Sequence, residues 1–204
     1  MNDLFYPFIN YGGGFTYQGN PNLQPERSRN NELGLHYTAE GQRLVLTRFD
    51  NFINNLIVFN NANTSVINLN EVRVDGWELA YAANAGDASL NMAVTQQNPR
   101  DAQTNQILPR RAKSYYRVAM SQPSGNWRLG VEWQYTGTRQ DVDILTGSPV
   151  TLSSYNVLNL TARCPLDKHL ELTVRADNFL NQNTVVASGY LPLGRTVFTG
   201  LIYH

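Results

Sequence analysis

The stretch Trp127-Arg-Leu-Gly-Val-Glu-Trp-Gln-Tyr135 decides how the rest of the chain is read. Its odd positions are Trp127, Leu129, Val131, Trp133 and Tyr135; its even positions are Arg128, Gly130, Glu132 and Gln134. A strict period of two puts the odd side chains on one face of an extended strand and the even ones on the other. The apolar face carries aromatics at both ends and aliphatics between them. At about 3.3 Å per residue the stretch covers roughly 26 Å. Tilted by ~40° it spans ~20 Å of height, close to the ~25 Å apolar band of a strand that crosses an outer membrane. A half-buried strand of a soluble sandwich alternates in the same way. The choice rests on how many other segments repeat the design.

Working outward, the design recurs along most of the chain. Strands are expected over 30–38 (Leu33, Leu35 and Tyr37 on one face, Glu32, Gly34 and His36 on the other), 43–53, 70–84 and 88–97. Further strands are expected over 111–122, 154–164, 169–179, 182–188 and 195–204. Within 43–53, Leu44 and Leu46 stand opposite Val45 and Thr47, so its two faces are hard to tell apart. With the opening stretch this makes ten strands. Short turns such as Ala39-Glu-Gly-Gln42 and Asn84-Ala-Gly-Asp87 alternate with longer polar connections over 60–65, 98–110 and 140–153. Residues 1–28, with Gly12-Gly-Gly14, Pro21 and Pro25, lack a sustained period and read as a long loop.

Composition narrows the class. The 204 residues are 16% charged, with a formal net charge of zero. That is well below the usual ~25% charged, and a neutral chain without basic runs gives no sign of nucleic-acid binding. No window approaches the ~18 consecutive apolar residues of a membrane helix, which leaves a membrane barrel open. Cys164 is the single cysteine, so neither an internal disulfide nor a cysteine-based metal site can form. His36, His169 and His204 are isolated from one another in the sequence. The N-terminal residues Met1-Asn-Asp-Leu-Phe-Tyr-Pro-Phe8 have neither a basic region nor an apolar core of signal-peptide type.

Two patterns favour a membrane barrel over a soluble sandwich. Short turns at one end and long loops at the other are the layout of an outer-membrane barrel. Nearly every expected strand also has one apolar face, while the opposite faces carry Glu32, Glu78, Arg117, Glu132, Arg163 and Arg175. A lipid-facing exterior and a wet interior suit that division. No phosphate-binding glycine loop, nucleophile elbow or metal-ligand spacing is present, and no acid, base and nucleophile assemble, so neither enzyme activity nor a cofactor is implied. Asp141 and Asp143 lie on a long loop, where such pairs are usually solvated. Function is therefore expected in the loops and on the polar wall. Two other readings stay open on the residues alone: a self-contained ten-stranded outer-membrane barrel acting as an enzyme or adhesin, and a soluble carbohydrate-binding sandwich.

Several segments resemble TonB-dependent outer-membrane receptors, in that family's order. They are Gly19-Asn-Pro-Asn-Leu-Gln-Pro-Glu-Arg-Ser28, Phe49-Asp-Asn-Phe-Ile-Asn-Asn-Leu-Ile57 and Val74-Asp-Gly-Trp-Glu78. Leu108-Pro-Arg-Arg-Ala-Lys113, Gly137-Thr-Arg-Gln-Asp-Val-Asp143, Asp177-Asn-Phe-Leu180 and the pair Gly189-Tyr190 with Gly194-Arg195 follow. The resemblance runs from about Phe15 onward and is greatest to the cobalamin receptors, though siderophore receptors share much of it. It implies an all-β antiparallel meander of ten transmembrane strands, an open half of a barrel of about 22. Residues 1–28 would be an extracellular loop segment and 29–204 the C-terminal portion of the barrel, with the plug domain absent. It further implies outer-membrane lipid around the barrel, extracellular cobalamin or a ferric siderophore as cargo, and TonB as a partner through the missing plug. Arg110, Asp143 and Tyr190 are the outer-rim candidates for ligand contact. Family members usually end on an aromatic residue; this chain ends on His204.

If the faces are assigned correctly, Trp133→Asp is much more damaging than Glu132→Gln, because a charge on the lipid side is destabilising to a degree that grows toward mid-depth. Folded yields of the two variants in detergent test this: Trp133→Asp should fall far below Glu132→Gln, and the reverse order would invert the faces.

Overall fold

The computed structural model describes residues 2–60, 62, 64–143 and 145–203. Asn61 and Asn63 of the expected 60–65 loop, Ile144, Met1 and the terminal His204 lie outside them. The chain opens with a helical turn, α1 (Asn2–Phe5), and a small hairpin, β1 (Ile9–Gly12) with β2 (Phe15–Tyr17). These elements sit within the segment read as loop; each is too short to leave a period in the sequence. Four long strands follow: β3 (Arg27–Ala39), β4 (Gln42–Phe59), β5 (Val66–Ala85) and β6 (Ala88–Asp101). Then come β7 (Ser114–Ser124), β8 (Trp127–Thr136), a second small hairpin of β9 (Arg139–Val142) with β10 (Pro149–Leu152), and finally β11 (Tyr155–Pro165), β12 (Leu170–Asp177) and β13 (Thr196–Tyr203).

The main sheet is an antiparallel meander in the order β13-β12-β11-β8-β7-β6-β5-β4-β3. It has nine strands where ten are expected, because 182–188 forms none. After β12, Asn178 and Asn181 adopt φ of 49° and 53°, and the Phe179 amide donates to the Leu158 carbonyl at 2.7 Å. The chain turns out of the sheet there and returns only at Thr196. A strand at 182–188 would also have broken the alternation of short turns and long loops. With nine, the turns at 40–41, 86–87, 125–126 and 166–169 share one end. The connections 60–65, 102–113, 137–154 and 178–195 share the other, called here the outer end.

β3 and β13 are the two edges, and among the described residues no ladder joins them, so the sheet is open. The unpaired edges match the expectation of an incomplete barrel and argue against a self-contained closed one.

The register sorts side chains by face across all nine strands. One row runs Tyr37, Leu44, Tyr81, Met92, Val118, Trp133, Leu158. Farther along the sheet, Val131, Leu160, Ala176 and Val197 align. Leu44 and Leu46 thus join the apolar face, and Val45 and Thr47 the other, which resolves the strand that the alternation left ambiguous. Among the described residues nothing covers the apolar face: Leu33 is 78% exposed, Trp77 51% and Val197 66%.

The opposite face is polar near the short turns, but toward the outer end it carries the main apolar cluster. Phe49, Leu56, Val72, Val74 and Leu108 are buried together there. Phe49 lies over Gly76, its cross-strand partner. A Cβ at Gly76 would stand 2.6 Å from the Phe49 ring and 2.2 Å from the Gln96 carbonyl oxygen. Backbone cannot yield there as a flexible side chain can. Gly76→Val is therefore expected to cost about 3 kcal/mol or more through overpacking. Denaturant unfolding followed by tryptophan fluorescence checks it: the midpoint should drop sharply, while Gly200→Ala, where an added Cβ meets only an ordinary contact with the Thr173 methyl at 3.5 Å, should move it far less.

Candidate functional site

The polar face begins with a hydrogen-bonded cluster in mid-sheet. Glu132 accepts from the Arg117 guanidinium (Nε at 2.8 Å), from Gln134 Nε2 at 2.6 Å and from Asn159 Nδ2 at 3.2 Å. Its neighbours come from β7, β8 and β11, so the cluster ties three strands together on the polar face. Toward the outer end of the same face lies an open cavity of about 470 Å³, lined by Asn30, Glu32, Asn51, Glu78 and Arg111 beside Phe49. The Asn51 side-chain oxygen is buried and lacks a hydrogen-bond partner among the described residues.

The outer connections are held by side chains that bond to backbone. Asp141, on β9, has a side chain only 1% exposed. Its Oδ1 accepts from Arg110 Nε at 2.8 Å and its Oδ2 from the Ser188 amide at 2.7 Å. One carboxylate thus joins the 102–113, 137–154 and 178–195 connections. Burial disfavours its charged form, but the Ser188 and Val142 amides and the Arg110 guanidinium outweigh this, and the carboxyl titrates below its ordinary value. Beside it Arg139, 4% exposed, lies over the Tyr155 ring at 4.9 Å and donates to the Val185 carbonyl at 2.6 Å. Asn178, also buried, donates to the carbonyls of Gln182 (2.9 Å) and Leu193 (3.3 Å) and accepts from the Gln182 amide at 2.9 Å.

The N-terminal segment is anchored at the same end. Asn20 donates to the Val66 carbonyl at 3.0 Å, and Asn68 exchanges two bonds with the backbone of Gln24. β4 has an irregularity at Asn55, whose φ is 57°. There the Ile57 amide turns to the Glu26 carboxylate at 2.7 Å. Gly19 passes so close to the first residues that an added Cβ would lie 2.6 Å from the Tyr6 nitrogen. The Gly19–Ser28 motif is thus a strap that fastens residues 1–28 to the tops of β4 and β5.

Arg110, Asp143 and Tyr190 all fall at the outer end, on the three connections that meet at Asp141, and each makes different contacts. Arg110 is half-exposed, with its guanidinium on Asp141 and its amide donating to the Gln140 carbonyl at 2.7 Å. Asp143 caps the β9–β10 turn by accepting from the Leu145 and Thr146 amides, both at 2.9 Å. The Thr146 and Leu145 amides hold its carboxyl below the ordinary value. Tyr190 is 63% exposed, next to Leu191 at 97%. Asp141 differs from the solvated loop residue expected from its position: it is buried and holds three loops. The available signal was its place in the alternation Arg139, Asp141, Asp143, which marks a short strand rather than an irregular loop.

An open antiparallel meander with one bare apolar face, one polar face and long loops tied at a single end defines part of a large barrel wall. Residues 1–179 match the family model described as TonB dependent receptor-like, beta-barrel. The chain belongs to that family. It is 28% identical over 193 residues to the vitamin B12 transporter BtuB of Vibrio cholerae, covering 91% of this chain and 31% of that protein. The chain therefore spans about a third of the length of the curated relatives it matches. Among solved structures it resembles the siderophore receptor PirA of Acinetobacter baumannii, with TM-score 0.73 and 18% identity over 93% of this chain and 33% of that one. It also resembles the ferric-catecholate import receptor Fiu of E. coli K12, with TM-score 0.70 and 20% identity over 97% of this chain and 30% of that one.

The Asp141 junction has a signed pH dependence. Its carboxyl is depressed in the folded chain, so its stabilisation is complete above the ordinary carboxylate value of about 3.9 and is lost as pH falls through the lower folded-state value. The protection factor of the Ser188 amide, which divides out the slower intrinsic exchange in acid, should be high at neutral pH and fall in acid. Asp141→Asn should give low protection at both, and unchanged protection in that variant would show that the junction holds nothing.

Proposed function

We propose that this chain is the C-terminal barrel portion of an outer-membrane TonB-dependent receptor that takes up cobalamin, with a ferric siderophore as the alternative cargo. The observation that carries the reading is the 28% identity to a vitamin B12 transporter over nine-tenths of the chain. In this reading the bare apolar face meets lipid, which is why side chains such as Leu33 and Trp77 stay exposed in the isolated chain. The polar face, with its Glu132 cluster, lines the wet interior. Residues 1–28 and the four outer connections form the extracellular side, and 29–204 the multi-pass wall. TonB acts through a plug domain supplied by the remainder of a receptor of the relatives' length. The process is transport rather than bond chemistry, consistent with relatives named as transporters and receptors.

Tyr190 is the leading ligand contact of the three rim candidates, because its ring is largely free while Arg110 and Asp143 are engaged in holding loops. Arg110 and Asp143 act at the rim mainly by setting loop shape. The test is binding of cyanocobalamin to a complete receptor that carries this chain. Tyr190→Ala should weaken binding about tenfold or more, as loss of an aromatic contact does, and the ligand should be recovered chemically unchanged. Saturable binding of a ferric siderophore instead would select the alternative cargo. Binding of neither, or turnover mapped to Asp141, Asp143 or Glu132, would overturn the transport reading.

A further inference from the structure

Immediately above the apolar band, the outward face of β3–β6 changes character. The row Leu35, Leu46, Leu79, Val94 is apolar; the next is Leu33, Arg48, Trp77, Gln96; then Asn31, Asp50, Asp75, Asn98. Above these lies Arg29, Phe52, Arg73, Arg100. Four arginines therefore stand against two aspartates on a wall of four neighbouring strands. One row higher, Arg27 and Glu71 offset each other, so a local surplus of positive charge remains on a chain whose formal net charge is zero.

The arginines are held in place. Arg73 grips Asp50 with two bonds of 2.7 Å, Arg48 donates to Asp75 at 2.9 Å, and Arg100 lies 3.3 Å from the same carboxylate. Arg29 and Arg73 both lie on the Phe52 ring, at 5.0 and 5.2 Å, and Arg48 lies over Trp77 at 5.4 Å. Among the described residues Arg29 has no carboxylate partner. Arg73 and Arg100 are directly cross-strand, an arrangement of like charges that costs stability unless negative charge lies nearby. Fixed, planar guanidinium groups suit phosphate better than mobile amines do.

Position limits what such a surface would meet. Arg73 lies four residues beyond Trp77, roughly 10 Å higher on a strand tilted by ~40°, which is within reach of the headgroup layer outside the hydrocarbon. We propose that this wall docks the phosphate-bearing headgroup of an outer-leaflet lipid, with Arg29, Arg73 and Arg100 as the phosphate contacts and Asp50, Asp75 and Phe52 orienting them. The inference rests on the reading that the apolar face meets lipid, since it places the patch just above that face.

The test refolds the full 204-residue chain with vesicles of phosphatidylcholine alone or of phosphatidylcholine doped with bisphosphorylated lipid A, then measures vesicle association and lipid retained through detergent exchange. The chain should associate with both vesicles and retain lipid A selectively, less so at high salt. Arg29→Gln combined with Arg100→Gln should cut retention about tenfold or more, as the loss of charge-assisted bonds does. Its circular dichroism should remain that of a β-sheet, and Arg29→Lys should keep part of the retention. Association with both vesicles but equal retention of both lipids would overturn the docking site alone. Displacement of lipid A by an equal concentration of inorganic phosphate would also overturn it, since the patch would then be a free-phosphate site. Association with neither vesicle would overturn the lipid-facing reading and the docking site with it.

Discussion

The constraint on which the rest depends is that backbone amides and carbonyls must find partners, and in this chain they find them across strands. Within the nine-stranded ladder each interior strand is paired on both sides, leaving β3 and β13 as the open edges. A wall that meets hydrocarbon cannot leave such edges bare, because lipid has nothing to offer an unpaired amide. The open edges, the uncovered apolar rows and the match to about a third of a relative's length are therefore consistent aspects of one architecture. In the proposed reading, the missing pairing is supplied by further strands of the same barrel.

At the outer end the sheet gives way to a different mode of construction. The connections have little regular structure, so their backbone groups are satisfied by short polar side chains: Asp141 takes the Ser188 amide, Asn178 the backbone of Gln182 and Leu193, Glu26 the Ile57 amide, and Asn68 the backbone of Gln24. Leu108 adds an apolar anchor that draws the 102–113 connection over the polar face. A rim built this way is held in one shape by its own contacts, which in the proposed reading lowers the ordering cost of binding. Arg110, Arg139 and Asp141 are engaged in these loop contacts, whereas Tyr190 and Leu191 are exposed.

The alternation of apolar and polar residues was legible because a strand's side chains switch faces at every residue and the environment on each face is uniform over many strands. Trp127–Tyr135 could be read without a structure for that reason, and so could the meander, the layout of short turns and long loops, and the family. The failures share the opposite cause. Residues 182–188 carry strand-forming types, yet positive φ at Asn178 and Asn181 turns the chain away; the cue lies in two asparagines, not in the run itself. Leu44 to Thr47 looked equally apolar on both faces until the neighbours Tyr81 and Ala80 decided which side each joined. Asp141 and Asp143 look alike in sequence, but one is buried between three loops and the other caps a turn.

By itself the sequence determined the strand-rich antiparallel class, the division into apolar and polar faces, and membership of a receptor family, all properties that repeat locally along the chain. Tertiary structure alone decided the strand count, the Asp141 junction, the strap of Gly19–Ser28 across β4 and β5, and the alignment of Arg29, Arg73 and Arg100 in one row. Each of these depends on which residues from distant positions become neighbours. Such neighbours are set by register and loop closure, and the alternation along one strand restricts its offset from the next only to steps of two, which keep the faces matched.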